Sequence, residues 1–179
     1  MKIDVKPWSY FNKTSYSKKE QRYLNDCRVI SILDSDGPFS ISPFRSDVYM
    51  PFHLLTLRFD DYDDSVEKLP EGAVPCTEDD VEKIVSFVQD DGLPLIVHCS
   101  DGISRSGAVA AALDQHFNEF MVEPKDHAYF LKRNRGLRPN KLVLKLLKEA
   151  LEQQWFFESF MFYLKSQEKN DHFWGEQEN

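Results

Sequence analysis

The chain has 179 residues, 41% of them hydrophobic, which is enough to bury the core of one ordered domain. Its net charge of −8 argues against nucleic acid, or an anionic membrane surface, as a partner attracted by bulk charge. No stretch reaches the about 18 consecutive apolar residues of a membrane span, and the first residues lack an apolar run of signal-peptide length.

The cysteines and histidines give no sign of a structural cross-link or a metal site. Cys27, Cys76 and Cys99 are an odd number without a short metal-ligand spacing, which is poor material for a disulfide framework. This usage favours a reducing compartment, so we expect a cytoplasmic protein. The five histidines share no spacing that indicates a ligand set, and we expect no metal and no other cofactor. The oligomeric state stays open.

Three apolar runs are predicted to be strands. They are Arg28 to Leu33 (RVISIL), His53 to Phe59 (HLLTLRF) and Leu95 to His98 (LIVH). Continuous apolar runs of this kind are typical of strands that are buried on both faces of a parallel sheet. Residues 1–26 are polar, with scattered aromatic residues and no clear periodicity. They predict a lead-in with one short helix around Ser17 to Leu24.

Helices are predicted between and after these strands. Thr77 can cap a helix with three acidic residues in its first turn, and Gly92 and Pro94 mark its end. Further helices are predicted over Ser106 to Phe117 and Pro124 to Asn134. Pro139 can stand in the first turn of a long last helix, whose buried side is predicted to carry Leu142, Leu146 and Leu147.

The order of these elements predicts an α/β fold with a central, mostly parallel sheet flanked by helices. We expect a lead-in over residues 1–26, a single domain over 27–165 and a polar C-terminal tail over 166–179. Ligand sites in such sheets lie at the carboxyl ends of the strands. Cys99 stands at such an end.

The loop after this strand has the features of an anion site. Five residues, SDGIS, connect Cys99 to Arg105, where the next helix is predicted to begin. So short a loop must curl, which turns backbone N–H groups into one concavity beside the positive end of the helix. Gly102 permits the close turn, and Arg105 adds a planar set of donors that suits phosphoryl oxygens. The predicted phosphate-binding residues are Ser100, Asp101, Gly102, Ile103, Ser104 and Arg105.

A thiol in this setting is expected to be ionised, because cations and helix N-termini favour the thiolate. Cys99 is therefore the predicted nucleophile of a phosphoryl transfer with a covalent intermediate. Ser106 can donate a hydrogen bond to its sulfur. We expect His98 to support the loop rather than act as a base, because a thiolate needs none.

Residues 98–106, HCSDGISRS, resemble the HC-x5-R-[S/T] signature of the cysteine-dependent protein tyrosine phosphatase superfamily, and the ISRS ending is most similar to its small dual-specificity branch. Arg138-Pro139-Asn140 also resembles an R-P-N segment near that family's site. The resemblance covers roughly two thirds of the chain and implies the protein-tyrosine-phosphatase-like fold. It implies hydrolysis of phosphotyrosine, and also phosphoserine or phosphothreonine, in proteins through a phosphocysteine intermediate.

The family also uses a carboxylic acid that protonates the leaving oxygen and then activates water. The sequence offers the acidic run 60–64 directly after a strand, where FDD resembles the acid loop of the phosphatases of regenerating liver. Asp61 is the preferred candidate on this resemblance, Asp60 is the next, and Asp63 is the third. No tryptophan stands here in the family's W-P-D form.

Two departures from the family bear on the substrate. The phosphotyrosine-recognition and glutamine-rich loops of the receptor-like enzymes are absent, which implies a shallow pocket. Asp101 stands where many relatives have alanine, and its charge disfavours substrates with additional phosphates. A phosphorylated protein is therefore the expected partner. The alternatives are a phosphatase of RNA 5′ ends or phosphoinositides, and a non-catalytic phosphate-binding module.

The remaining features have simpler interpretations. Cys27 and Cys76 are expected to be structural, with a redox partner of Cys99 as the alternative. The basic stretch Lys132 to Arg138 is expected to be an exposed helix face, with a contact to an acidic substrate as the alternative. The aromatic residues between Trp155 and Tyr163 are expected to form core or a dimer contact, with a docking surface as the alternative.

Overall fold

A computed structural model describes residues 1–44, 48–63, 67–88, 92–119, 130 and 132–175, with the backbone alone at 119, 158 and 162–175. The strands are β1 (Ile3–Pro7), β2 (Arg28–Leu33), β3 (His53–Arg58) and β4 (Leu95–Cys99). The helices are α1 (Lys18–Asn25), α2 (Glu78–Phe87), α3 (Arg105–Asp114) and α4 (Lys141–Gly175). A 3₁₀ turn (Trp8–Tyr10) follows β1, and a π-helical turn (Gln115–Glu119) follows α3.

The four strands form one parallel sheet in the order β1-β4-β2-β3. The two central strands, β2 and β4, are buried along their whole length, as continuous apolar runs predict. β3 is an edge strand in which Leu57 alone is buried, so the interpretation of that run as buried on both faces is wrong. All four strands end at one edge of the sheet, where Pro7 pairs with Cys99. The α/β prediction is confirmed.

Side chains of the central strands alternate between two cores. Ile30, Ile32 and Val97 point to the side where α2, α3 and α4 pack, and they form the larger apolar cluster. Val29 and Ile96, one residue out of phase, point to the other side. There they contact the N-terminal segment, whose contribution includes Phe11 and Leu24. Helices therefore cover one face of the sheet and the first part of the chain covers much of the other.

The lead-in prediction for residues 1–26 was wrong in one respect, because it contains an edge strand. In β1, Ile3 and Val5 alternate with Asp4 and Lys6, and Pro7 ends the strand. An alternating pattern of five residues is too short to stand out in a polar segment, and proline is tolerated at a sheet edge. The predicted short helix is present as α1, and Ser17 caps it in a capping box with Glu20.

The predicted helices differ from the structure mainly at their ends. Thr77 caps α2 in a capping box with Asp80, as predicted. α3 begins at Arg105 and gives way to a π-helical turn after Asp114, so it is shorter than predicted. Pro139 lies two residues before α4 rather than within its first turn. The prediction for Pro124 to Asn134 lies mostly outside the described residues.

The last helix is longer than the domain division implies, since α4 continues to Gly175 and runs through most of the segment predicted as a tail. Val143, Leu147 and Leu151 are buried among its described side chains, while the predicted Leu142 and Leu146 are half-buried. A stripe at spacings of four explains the difference, because those three share one face. None of the described helices combines the length and the low charge that crossing a membrane requires.

Candidate active site

Cys99 ends the central strand β4 and is 2% exposed. Its Sγ lies 3.1 Å from the Oγ of Ser106 in the first turn of α3. Because α3 follows the loop directly, the positive end of its dipole faces the same region as the sulfur. The structure thus brings together the predicted nucleophile and the hydroxyl predicted to donate to it.

The cysteine loop, from Cys99 to Arg105, is held by hydrogen bonds to its carbonyl groups. The backbone N–H of Trp8 donates to Ser100 O at 3.0 Å, and those of Arg138 and Asn140 donate to Ile103 O and Ser104 O, each at 3.2 Å. In a trans peptide the C=O and the next N–H point in opposite directions. Since these carbonyls face the surrounding chain, the N–H groups that follow them face away from it. The curled backbone therefore offers donors to an anion, as the sequence predicts.

Gly102 is required where the loop passes the end of β1. Its φ is +71°, and a Cβ there would lie 2.6 Å from both the carbonyl carbon of Lys6 and the nitrogen of Pro7. Both the conformation and the contact exclude a side chain. The edge strand that the sequence prediction missed therefore supports the loop from behind.

Arg105 is 2% exposed and lies under the loop. Its Nη1 donates to Phe59 O at 2.7 Å, and its Nη2 donates to Ser100 Oγ at 2.8 Å and pairs with Asp34 Oδ1 at 2.5 Å. Its Nε has no acceptor among the described residues. An unpaired buried donor is costly, so the site is suited to an anion that accepts this hydrogen bond.

Asp61 reaches the cysteine loop through a side-chain network. One carboxylate oxygen, Oδ1, accepts hydrogen bonds from Ser104 Oγ and Asn140 Nδ2, both at 2.8 Å. Asn140 is buried, donates also to Tyr62 O at 3.1 Å, and accepts from Val143 N at 3.0 Å at the start of α4. The R-P-N segment thus ties the acid loop (Phe59 to Asp63), the cysteine loop and the last helix together.

Asp60 is engaged differently. It accepts hydrogen bonds from Ser35 N at 2.8 Å, Ser35 Oγ at 2.7 Å and Val74 N at 3.0 Å. Burial acts to raise the pKa of Asp60, but these hydrogen bonds and the charge of Arg105 outweigh it and hold that pKa below its usual value. A carboxylate that stays ionised cannot donate a proton, so Asp60 is suited to bracing the loops. Asp63 is not among the residues that line the cleft described below.

His98 is fully buried between the aromatic rings of Phe11 and Phe44, with ring centroids 5.1 and 5.7 Å away. Neither ring nitrogen has a hydrogen-bond partner among the described residues. Burial lowers the pKa of His98 to about 4, against a small opposing effect of the Cys99 backbone. A neutral packed imidazole fits a supporting role.

The other two cysteines have the environment of unreactive thiols. Both are buried and free, and burial is the main cause that raises the pKa of each thiol, to about 12 for Cys76. Buried, protonated thiols are inert. Cys27 belongs to the apolar cluster on the opposite face of the sheet. Within the described residues no group of side chains could hold a metal ion.

An open cleft of about 650 Å³ lies above the cysteine loop. Its walls come from the segment after β2, the acid loop, the segment before α2 and the cysteine loop itself. The residues of chemical interest among its lining are Asp34, Asp36, Asp60, Asp61, Tyr62, Glu71, Ser100, Asp101 and Arg105.

No family model and no curated protein matches the sequence, whereas solved structures match its fold. One is the human tyrosine phosphatase-like serine/threonine/tyrosine-interacting protein, with a TM-score of 0.54, 21% identity, and coverage of 86% of this chain and 93% of that chain. Another is the Cydia pomonella PTP-2 phosphatase, with a TM-score of 0.51, 16% identity, and coverage of 83% and 84%.

The chain has the protein-tyrosine-phosphatase-like fold. A third structure, PTPMT1 in complex with PI(5)P, matches with a TM-score of 0.49, 18% identity, and coverage of 85% and 91%. The resemblance that the cysteine motif predicts is thus confirmed at the level of the fold. The roles of the individual residues in this phosphatase-like fold remain predictions.

Sequence reasoning missed one residue that touches the predicted machinery. Asp34 directly follows β2 and pairs with Arg105, yet the string DSDGP indicates only a turn. Its position at the carboxyl end of a central strand, next to the strand of Cys99, was the signal available.

Proposed function

We propose that this protein hydrolyses phosphate monoesters through a phosphocysteine intermediate. The observation that carries the proposal is the arrangement around Cys99. The sulfur lies beside Ser106 at the start of a helix, above a buried arginine with an unpaired donor, in a loop whose tied carbonyls leave N–H groups for an anion. This combination is suited to a thiolate attacking a dianion.

In the first step the Cys99 thiolate attacks phosphorus and forms a P–S bond while the bond from phosphorus to the ester oxygen breaks. The loop N–H groups and Arg105 hold the three nonbridging oxygens. Asp61, protonated on the carboxyl oxygen that is free of Ser104 and Asn140, gives its proton to the leaving oxygen. The product alcohol or phenol then departs from the open cleft.

In the second step water attacks the phosphocysteine. Asp61, now a carboxylate, accepts a proton from that water, and the P–S bond breaks to release phosphate and the thiolate. Ser106 donates a hydrogen bond to the departing sulfur, which its 3.1 Å separation from Sγ permits. Asp61 thus alternates between acid and base and ends in its starting state.

Phosphotyrosine in proteins is the proposed main substrate, with phosphoserine and phosphothreonine as further substrates. The open cleft supports this range of substrates, because it does not require the longer side chain of phosphotyrosine to bring the phosphate to the cysteine loop. The charge of Asp101 at its rim disfavours RNA 5′ ends and phosphoinositides, which carry additional phosphates.

The direct test is phosphate release from a small aryl phosphate between pH 5 and 8, with wild type beside Cys99→Ser. We expect a bell-shaped profile in the wild type and no turnover above background in the variant. A panel of phosphopeptides, a 5′-phosphorylated RNA and a phosphoinositide then ranks the substrate classes. If wild type is inert but binds vanadate, the protein is a phosphate-binding module and the catalytic proposal fails.

A further inference from the structure

The cleft above the cysteine loop is acidic, which is unusual for a site that receives a dianion. Six carboxylates line it, namely Asp34, Asp36, Asp60, Asp61, Glu71 and Asp101. Arg105 is the single cation among the described residues of its lining, and it is buried on the floor. The acidity therefore lies at the walls and the mouth.

Three of the six carboxylates are engaged by the protein itself. Asp34 pairs with Arg105, Asp60 accepts hydrogen bonds from Ser35 and Val74, and Asp61 accepts them from Ser104 and Asn140. These interactions give each of them a local role in shaping the site.

The other three, Asp36, Glu71 and Asp101, are exposed. None of them makes a hydrogen bond or ion pair with another described residue. They come from three separate segments around the mouth: the turn after β2, the segment before α2, and the cysteine loop. Their charge is left available to whatever enters the cleft.

The floor, in contrast, is built for one phosphate. Arg105 is 2% exposed, its Nε–H has no acceptor among the described residues, and the loop backbone adds N–H donors. A ligand must therefore place its anionic group at the floor while the groups flanking it meet carboxylates. Additional phosphates at the rim would be repelled, and cations there would be attracted.

We propose that the cleft selects phosphopeptides that carry lysine or arginine beside the phosphorylated residue. Selective turnover of such peptides rests on the proposed function. Selective binding of them requires only that the floor of the cleft binds the phosphate group. The free carboxylates act as specificity groups, and exposed charges of this kind change affinity by severalfold rather than by orders of magnitude.

The test compares phosphotyrosine peptides of equal length whose flanking residues are arginine, alanine or glutamate, with a small aryl phosphate as reference. Wild type is measured beside the double variant Asp36→Asn, Glu71→Gln and a matched control, Glu82→Gln, Glu149→Gln. The control removes the same charge from exposed residues around a separate groove between α2 and α4.

For wild type we expect kcat/KM to be about tenfold higher for the arginine peptide than for the glutamate peptide, and the ratio to shrink as salt rises. In the double variant the ratio of the two kcat/KM values should fall to about one third of its wild-type value, while turnover of the aryl phosphate is kept. The control variant Glu82→Gln, Glu149→Gln should match wild type in both. An unchanged ratio in the double variant, or a wild-type preference for the glutamate peptide or a phosphoinositide, would overturn the inference.

Binding of the same peptides to Cys99→Ser, followed by fluorescence anisotropy, separates this inference from the proposed function. If wild type hydrolyses nothing but Cys99→Ser binds arginine peptides best, the charge selection stands and catalysis fails. If all peptides are hydrolysed equally well, catalysis stands and the selection fails.

Discussion

The cysteine loop and the acid loop meet in one cleft but are held in place by different means. The cysteine loop is tied by backbone hydrogen bonds from Trp8, Arg138 and Asn140 to its carbonyls. The acid loop is tied by backbone hydrogen bonds at its first two residues, from Phe59 N to Leu33 O and from Asp60 N to Val74 O. Its carboxylates and its continuation depend on polar groups from distant parts of the chain, chiefly Ser35 and Asn140. A loop held by its backbone should tolerate most side-chain changes except where the backbone itself is crowded, whereas a loop held by side chains should respond to single polar substitutions.

The largest effect should come from crowding the backbone of the cysteine loop. Gly102→Ala would place a Cβ 2.6 Å from the backbone of Lys6 and Pro7 at a φ of +71°. We expect vanadate affinity and turnover to fall at least about 100-fold, because the cysteine loop cannot keep the geometry that binds the phosphate group. Isothermal titration with vanadate and aryl phosphate kinetics measure both.

Gly92→Ala is the control for this substitution. Gly92 has a similar φ of +78°, but a Cβ there would meet no atom of the described residues within 4 Å. It should cost about 1 kcal/mol of stability from the backbone conformation and leave turnover intact. Equal losses of activity in the two variants would contradict the assigned contact with β1.

The next largest effect separates the two neighbouring aspartates. Asp61→Asn should lower kcat about 10²- to 10³-fold, because the proton donor is lost. Asp60→Asn should act mainly on stability, by about 1–3 kcal/mol, since hydrogen bonds from Ser35 and Val74 lose their charged acceptor. Kinetics across pH and urea unfolding give both numbers for each variant.

A phenotype reversed between these two variants would assign the acid role to Asp60. We do not expect that outcome, because the hydrogen bonds to Asp60 lower its pKa and so favour the ionised form, which has no proton to donate.

Asn140 offers a smaller effect that tests the connection between the loops. Asn140→Ser keeps an oxygen that can cap α4 but removes the amide that reaches Asp61 and Tyr62. We expect kcat to fall about tenfold with vanadate affinity unchanged, because Asp61 is misplaced while the cysteine loop keeps its geometry. Asn140→Ala should show the same kinetic loss and an additional loss of about 1 kcal/mol in stability from the missing cap.

A parallel loss of vanadate affinity in Asn140→Ser would show that this residue supports the cysteine loop as a whole. Positioning of Asp61 would then not explain its effect.

The smallest effect on catalysis belongs to His98, whose role concerns stability. Its pKa is about 4 in the folded protein against 6.5 for a free imidazole. Between these values the unfolded chain binds the proton and the folded chain does not, so stability falls as pH decreases from about 6.5 to 4. The loss should reach roughly 3 kcal/mol. His98→Phe should lack this component, and urea unfolding at pH 7 and pH 4.5 would detect the difference.

The sequence predicted the cysteine loop well because its geometry depends on neighbours in the chain. A buried strand, a short connection with glycine and a helix start lie within a dozen residues, and β2 and β4 are continuous apolar runs that are buried as expected. The edge strands were harder. β1 is short, alternating and polar, and β3 carries an apolar run although one of its faces is exposed.

The acid loop was less predictable because it depends on contacts with residues far away in the sequence. The same dependence should make it more sensitive to single polar substitutions. Three aspartates between 60 and 63 have equal chemistry in the sequence, and what distinguishes them is the position of partners such as Ser35, Val74 and Asn140. Those contacts form only when β2, β3 and the start of α4 come together. The pairing of Asp34 with Arg105 is hidden in the same way, because it joins the residue after β2 to the first residue of α3, 71 positions later in the chain.

The proposed mechanism requires that Cys99 carries the phosphoryl group during turnover. The direct measurement is mass spectrometry of acid-quenched protein, with Asp61→Asn mixed with excess aryl phosphate so that the slowed second step lets the intermediate accumulate. We expect one added phosphoryl group on the peptide that contains Cys99, and none when Cys99→Ser is treated in the same way. Phosphate release by wild type with no phosphoryl group on Cys99 at any quench time would contradict it.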